Sequence, residues 1–444
     1  MSEGPLLLVV LVCSIAFIII MTSRVKMNAF LVLLFASFGT GLLAGMKPLD
    51  VISTITGGFG GILGYIGIVI ICGTIIGTML EKSGATLSMA NTVLRLVGRA
   101  RSALAMSVTG AVVSVSVFCD SGFVILSSLN KTLAKKANLS MSTMAVALAS
   151  GLYATHTFVP PTPGPIAAAG NLGADIGLVI VFGLIIAVPA VAVGYLWATR
   201  VGSRYYVEPD IDDIGEKPEQ VLPGAFRSFA PIVVPIILIT LKSIADFPAR
   251  PFGDGGVRMC FDFFGDPTTA LLAGVLISFS LVPRLTGEYL NGWVGEGLRN
   301  AAAIIMITGA GGAFGAILKA THIGDYLGTS LAQFHLGLFL PFVIAAALKT
   351  AQGSSTVALI TTSALVSPML ADLGLSGEAG RALAVIATGA GAMIMSHAND
   401  SYFWVVSQFS GLDTPTAYKT HSMATLFQGI VSMGCVYLLS LVVL

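Results

Sequence analysis

The chain has 444 residues, of which 55% are hydrophobic and only 10% charged. Soluble domains carry about 25% charged residues, so this composition excludes an ordinary soluble enzyme. The 23 basic and 22 acidic residues give a formal net charge of +1, which leaves no basic surface for nucleic acid. The five cysteines are scattered without a CxxC pair and are predicted to pack as free thiols. The sequence therefore predicts an all-α polytopic membrane protein.

Ten apolar stretches are predicted to cross about 30 Å of hydrocarbon as helices. They lie near residues 5–22, 28–46, 58–80, 140–174, 176–199, 229–246, 267–283, 301–318, 382–404 and 422–444. Arg24 and Lys26 follow the first stretch instead of preceding it. This order indicates a retained first span and not a cleaved signal peptide.

Two further apolar segments are expected to be re-entrant helical hairpins. Only 29 residues separate Arg101 from Lys131, too few for two full crossings, and basic residues flank both ends. A hairpin with its tip near residues 119–122 satisfies both facts. The apolar stretch 336–371 is interrupted at residues 349–356, where we predict a second hairpin.

The distribution of basic residues orients this arrangement. With both termini outside, 16 of the 23 Lys and Arg residues fall in cytoplasmic segments and 6 in external ones. Residues 200–228 then form a cytoplasmic linker between two halves, residues 1–199 and 229–444. Each half holds five spans, an odd number, so the halves are expected to be inverted repeats.

Four interruptions are expected to break helices inside the membrane. They are the two hairpin tips, residues 155–165 with four prolines in six positions, and residues 396–401. Corresponding breaks lie 231–241 positions apart, as for Gly122 with Gly353 and His156 with His397. Helix N-termini at such breaks direct N–H groups and positive dipole ends at an anion such as a carboxylate. A proline kink is the alternative for any single break.

Polar residues at the breaks form the predicted site. Asp120 is the sole acidic residue between Glu81 and Asp175, and a carboxylate at membrane depth is a candidate proton carrier. Asp400 is predicted to carry a second proton or to pair with His397. Uncharged donors and acceptors suit a polyhydroxylated or amino-acid-sized ligand. The predicted substrate-binding residues are Ser121, Gly122, Thr155, His156, Thr162, Gln352, Gly353, Ser354, Ser355, Thr356, His397 and Asn399.

Plainer alternatives accompany these hypotheses. Asp120 could cap its own helix, each histidine could be a satisfied core residue, and Lys349 could snorkel or pair with an acid instead of balancing an anionic substrate. The glycine-rich residues 309–315 lack the strand and lysine of a nucleotide loop, so close helix packing is predicted there. No cofactor or metal is expected. Protons are the predicted coupling ion, and Na⁺ is the alternative. These features predict a secondary transporter, and a channel or a membrane-embedded enzyme is the alternative class.

The interrupted segments resemble the gluconate:proton symporter (gluconate permease) family, within the ion transporter superfamily. The matching stretches are GFGGILG (58–64), DSGFVIL (120–126), TH (155–156), VPPTPGP (159–165), AAGNLGAD (168–175), AQGSSTV (351–357), SHAND (396–400) and FW (403–404). Thr162 departs from the pattern, because members of this family often have His there.

The resemblance implies secondary active uptake of a sugar acid such as gluconate together with protons. It also implies a scaffold part and a transport part that moves as an elevator, and a homodimer in the cytoplasmic membrane. Carriers of related aldonates and of D-serine belong to the same family. A small carboxylate other than gluconate is therefore the alternative substrate.

Overall fold

The computed structural model describes residues 3–98, 101–210, 222–245, 255–321 and 336–444, and every regular element in these ranges is helical. The helices of the first half are α1 (Glu3–Ser23), α2 (Ala29–Leu43), α3 (Pro48–Lys82), α4 (Ala85–Val97), α5 (Ser102–Val113), α6 (Cys119–Lys136), α7 (Met141–Phe158), α8 (Pro163–Leu172) and α9 (Ile176–Arg200). Those of the second half are α10 (Ala225–Ala245), α11 (Gly256–Phe264), α12 (Pro267–Ser278), α13 (Glu288–Ala320), α14 (Phe339–Gln352), α15 (Ser355–Val366), α16 (Glu378–Met393), α17 (Ser401–Phe409) and α18 (Thr414–Val443).

Several of these helices are long and apolar enough to cross a membrane. By length and hydropathy, five described helices qualify, namely α3, α9, α10, α13 and α18, and the bent pair α11–α12 would add a sixth. This is fewer than the ten predicted spans, because α1 and α2 have only shorter apolar stretches and the predicted spans 140–174 and 382–404 each divide in two. The predicted linker lies partly outside the described residues, which omit 211–221.

The prolines end α7 where the sequence predicted a break. Residues 159–162 separate α7 from α8, and the peptide bond between Pro160 and Pro161 is cis. Pro163 then opens α8, where a missing N–H has no intrahelical partner to lose. Residues 394–400, which contain no proline, break the second half between α16 and α17. The interruptions predicted within residues 155–165 and 396–401 are therefore both present.

The two expected hairpins are both helix–turn–helix segments, although the first turn is displaced. Residues 114–118 join α5 to α6, and Ser114 Oγ closes this turn by donating to Val117 O at 2.9 Å. Residues 119–122 consequently form the first turn of α6 and not the tip itself. The second turn falls at Gly353 and Ser354, where Gly353 has a φ of +92° that side-chain-bearing residues rarely adopt.

Close helix crossings hold the two halves together. A Cβ on Gly58 of α3 would lie 2.7 Å from Gly312 O of α13, so these two long helices meet backbone to backbone. The close packing predicted for residues 309–315 is confirmed. Every residue of α7 is buried, and α7 packs between α5 and α9. The five cysteines are free, as predicted.

Candidate functional site

A cavity of about 280 Å³ lies where the broken helices meet. Its size falls near the lower end of ordinary small-molecule pockets. Its wall combines the start of α6, the turn between α14 and α15, and the start of α17. The lining residues are Phe118, Cys119, Asp120, Tyr153, His156, Gln352, Gly353, Ser354, Ser355, Thr356, Asn399, Asp400, Ser401 and Tyr402.

Three helix N-termini converge on this cavity. The N-cap residues are Phe118 for α6, Ser354 for α15 and Asp400 for α17, and all three line the wall. The first N–H groups of a helix have no intrahelical acceptor, and the helix dipole is positive at that end. The starts of α6 and α15 are therefore suited to hold a carboxylate or another small anion, whereas the Asp400 carboxylate already accepts from the Tyr402 amide at the start of α17.

A buried ion pair fixes two of the breaks against each other. Lys349 Nζ lies 2.5 Å from Asp400 Oδ2, with side-chain exposures of 1% and 6%. Lys349 also donates to Gly353 O, within the turn that lines the cavity. Of the alternatives for Lys349, the structure therefore shows pairing with an acid. Pairing with His397 was one of the two roles predicted for Asp400, and it is wrong, because Asp400 pairs with Lys349.

Further hydrogen bonds satisfy the Asp400 carboxylate. Ser396 Oγ donates to Asp400 Oδ2 at 2.5 Å, and the amide of Tyr402 donates to Oδ1 at 3.1 Å. Behind Ser396, His421 Nε2 lies 3.2 Å from its hydroxyl oxygen, and His421 is fully buried. A polar chain thus runs from the cavity wall into α18. Sequence reasoning missed His421, because no break or motif marks it in its apolar helix.

Asp120 differs from Asp400 in having no ion-pair partner among the described residues. Ser401 Oγ donates to Asp120 Oδ2 at 3.3 Å, and this contact joins α6 to α17. Asp120 Oδ1 is buried and has no hydrogen-bond partner among the described residues. A carboxylate oxygen left in this state at a cavity wall is available to a proton or to a ligand donor.

Uncharged polar groups complete the wall. His156 is buried with its ring centroid 6.0 Å from that of Phe118, and its Nδ1 has no partner among the described residues. Gln352 braces the turn, since its Nε2 donates to Ser354 O at 2.6 Å and its Oε1 accepts from the Ser354 amide at 3.1 Å. Asn399 Nδ2 donates to Thr350 O at 2.9 Å, and Asn399 Oδ1 has no hydrogen-bond partner in the part of the chain that the structure describes.

Nine of the fourteen predicted residues, counting both carboxylates, line the cavity. They are Asp120, His156, Gln352, Gly353, Ser354, Ser355, Thr356, Asn399 and Asp400. The five that the structure places outside its wall are Ser121, Gly122, Thr155, Thr162 and His397.

Local packing accounts for most of these exclusions. Thr155 Oγ1 donates to Ala111 O at 2.8 Å, and Thr162 Oγ1 donates to Val159 O at 2.6 Å, so both hydroxyls are bound to backbone. The backbone of Gly122 lies so close to the Leu152 side chain that a Cβ would stand 2.7 Å from it. Thr155 and Gly122 thus contact neighbouring helices, and Thr162 closes the turn between α7 and α8.

His397 is bound in a similar way to the preceding hairpin. Its Nε2 lies 2.9 Å from Thr350 O, and it thereby ties the break before α17 to α14. The lining residues that sequence reasoning did not select are Phe118, Cys119, Tyr153, Ser401 and Tyr402. Most of them are sequence neighbours of selected carboxylates, which is the signal that could have found them.

A second, larger cleft lies away from these carboxylates. It has a volume of about 590 Å³ and lies between the α3–α13 pair and the residues around α8, α15 and α16. Its two cations are Lys319 and Arg381. Arg381 is already engaged, because Nε donates to Ser376 O at 2.8 Å and Nη1 to Gly173 O at 3.3 Å. None of the predicted site residues lines this cleft.

Comparison with known proteins assigns the family. The model of the GntP family permeases matches residues 6–442, which is nearly the whole chain. The protein belongs to the GntP permease family. Among its relatives, the gluconate permease of Pseudomonas aeruginosa is 33% identical, with 100% of this chain and 99% of that protein covered. The D-serine transporter DsdX of Escherichia coli (strain K12) is also 33% identical, with 98% of each chain covered.

Solved structures agree on the fold. The YdaH transporter of Alcanivorax borkumensis superimposes with a TM-score of 0.67 at 16% identity, covering 91% of this chain and 97% of that one. At this identity the likeness shows the shared fold alone. The relatives are permeases and transporters, so this protein is a multi-pass membrane transporter of the gluconate permease family and not an enzyme.

Proposed function

We infer that the protein is a secondary active transporter that carries a sugar acid or small hydroxy-carboxylate into the cell together with protons. The observation that carries this proposal is the convergence of three helix N-termini on one cavity whose wall includes Asp120, a carboxylate with one oxygen that has no hydrogen-bond partner among the described residues. The first feature suits the anionic end of the substrate, and the second suits the proton.

The cavity offers different groups to the two ends of such a substrate. The substrate carboxylate would lie at the starts of α6 and α15, near residues 354–356. Its hydroxyl groups would meet His156, Gln352 and Asn399, which supply neutral donors and acceptors at the wall. The buried Asn399 Oδ1 and His156 Nδ1 are unpartnered among the described residues, and a polyhydroxylated ligand would satisfy them.

Asp120 is the proposed principal proton carrier. Asp400 is the second candidate, but Lys349 already compensates its charge at 2.5 Å. Movement of one proton with a monoanion is electroneutral, whereas a second proton would make uptake depend on membrane potential, by about 2.3 kcal/mol per charge at 100 mV.

We further propose that the two halves are inverted five-span repeats that work as an elevator. In this proposal α3, the α5–α6 hairpin, α7–α8 and α9 correspond to α13, the α14–α15 hairpin, α16–α17 and α18. The intimate α3–α13 crossing would belong to the scaffold, and the hairpins with the broken helices would form the transport part. The bias of basic residues supports external termini in the cytoplasmic membrane. A homodimer is the proposed assembly, on the family resemblance alone.

D-Serine is the second candidate substrate. The observation that favours it is the 33% identity with DsdX over nearly the full length. D-Serine has the same carboxylate and adds an ammonium group, which Asp120 Oδ1 is free to accept. In that case the ionised Asp120 would bind the ammonium group of the substrate. Independently of the substrate, Na⁺ is the alternative coupling ion.

Transport in proteoliposomes tests the proposal. An inward proton gradient in sodium-free buffer should drive accumulation of gluconate, and D-serine should compete only if it shares the site. Asp120→Asn should abolish accumulation but retain ligand exchange, while Asp50→Asn, an exposed acid outside the cavity, should behave as wild type. Unchanged accumulation by Asp120→Asn would remove this residue from coupling, and a strict sodium requirement would replace the proton.

A further inference from the structure

A groove of about 860 Å³ lies at the opposite end of α6 from the substrate cavity. It is bounded by the last turns of α4 and α6 and the first residue of α5. The three helices pack against one another, and residues of these helices form most of the groove wall. The lining residues are Asn91, Leu94, Arg95, Gly98, Ser102, Leu129, Thr132, Leu133, Lys136 and Ala137.

The wall of this groove is divided between cationic, polar and apolar groups. Arg95 and Lys136 supply the charge, Asn91 and Thr132 supply hydrogen-bonding groups, and leucines of α4 and α6 supply the apolar part. None of the described residues that line the groove is acidic. A free sugar acid would gain little from the leucines, whereas a phospholipid presents an anionic headgroup and acyl chains to both kinds of wall.

Among the residues that the structure describes, the cations at this end of α4 and α6 have no acidic partner. None of the ion pairs of the described residues involves Arg95, Arg101, Lys131, Lys135 or Lys136, although all five lie on this end of the hairpin and α4. Lys at the end of α6 is favourable for the helix dipole, but that effect requires no groove and no cation on α4. Two such charges, Arg95 and Lys136, line the groove itself, and a concave surface with two cations and no acidic lining residue favours a bound anion.

The position relative to the bilayer is consistent with a lipid. Helix α4 is amphipathic, with Met89, Val93 and Leu94 buried, and Leu96 beside the groove is 82% exposed. An exposed leucine next to unpaired cations is the pattern of a helix at the boundary of headgroups and acyl chains. The bias of basic residues assigns this end of the molecule to the cytoplasmic leaflet.

We propose that the α4–α6 groove binds the headgroup of an anionic phospholipid, with Arg95 and Lys136 contacting the phosphate and the neighbouring leucines contacting the acyl chains. The lipid joins the end of α4 to the end of the α5–α6 hairpin. Neither the substrate nor the coupling ion enters this site, so the proposal is independent of the proposed transport activity.

Lipid-dependent thermal stability tests the proposal. Delipidated protein in detergent is titrated with phosphatidylglycerol, and the midpoint of thermal unfolding is followed, because a ligand that binds the folded state stabilises it. Wild type should be stabilised by phosphatidylglycerol and not by phosphatidylcholine or inorganic phosphate. Each basic residue near an anionic lipid contributes roughly fivefold in affinity, so Arg95→Gln/Lys136→Gln should weaken the apparent affinity about 25-fold.

The matched control is Arg24→Gln/Lys26→Gln, which removes two exposed cations assigned to the same leaflet but distant in sequence from the groove. This control should keep the wild-type response. An unchanged response of the Arg95/Lys136 variant, or equal stabilisation by phosphatidylcholine or by inorganic phosphate, would overturn the assignment. Native mass spectrometry of wild type provides a second measurement that needs no variant. Preferential retention of phosphatidylglycerol supports the site, and equal retention of phosphatidylcholine contradicts it.

Discussion

Replacing Lys349 with methionine should destabilise the protein far more than the same replacement at an exposed lysine. The Lys349 and Asp400 side chains are 1% and 6% exposed, and their charged atoms lie 2.5 Å apart. Breaking a buried pair by removing one partner typically costs about 3–5 kcal/mol, because the remaining charge is uncompensated. Asp400 would keep only the hydrogen bonds from Ser396 and from the Tyr402 amide.

The double variant Lys349→Met/Asp400→Asn separates this cause from a simple loss of packing. With both charges removed, no uncompensated charge remains, and asparagine is a good N-cap for α17. The double variant should therefore be more stable than either single variant, which is non-additive behaviour of residues in contact.

A second salt bridge of similar length supplies the control. Lys82 Nζ lies 2.6 Å from Glu296 Oε2, but the side chains are 33% and 38% exposed. Pairs exposed to solvent contribute about 0–1 kcal/mol, so Lys82→Met should have a small effect.

Unfolding by SDS in mixed micelles, followed by circular dichroism, measures all four variants against wild type. Equal effects of Lys349→Met and Lys82→Met, or strictly additive effects of the Lys349 and Asp400 substitutions, would show that an uncompensated buried charge is not the cause of the lost stability.

Two further substitutions test the local geometry. Gly353→Ala should abolish transport and lower the thermal midpoint, because φ is +92° and a Cβ would lie 2.2 Å from Asn399 O. Gly374→Ala, at φ +72° in open space, is the control for backbone strain alone, and equal transport defects in the two would contradict the steric argument. Asp175→Ala should cost about 2 kcal/mol in SDS unfolding, since Asp175 caps α9 and accepts from Ser243 Oγ at 2.7 Å. A loss well below 1 kcal/mol would show that this contact between α9 and α10 contributes little.

The breaks in the helices could be predicted because their causes are local. Prolines at 160–165 cannot continue a helix, and a glycine before consecutive serines ends α14 at Gly353. The first hairpin turn was placed too late, because the sequence gives no proline or glycine at 114–118. Ser114 closes that turn through its hydroxyl group, which is a weaker signal in the sequence.

The partners of the buried polar groups could not be predicted, because they depend on contacts between distant segments. Lys349 and Asp400 are 51 positions apart, and Asp120 meets Ser401 across 281 positions. Thr155 and Thr162 were selected as polar residues at a break. Their hydroxyl groups bind backbone carbonyls instead. Thr155 donates to Ala111 O of α5, 44 positions away, and Thr162 donates to Val159 O within the turn between α7 and α8.

Electron cryo-microscopy of the protein saturated with gluconate tests whether the substrate binds in the cavity where the broken helices meet. Ligand density is expected between Asp120 and residues 354–356, with the carboxylate at the starts of α6 and α15. Density in the larger cleft beside Lys319 and Arg381, with the smaller cavity empty, would contradict it.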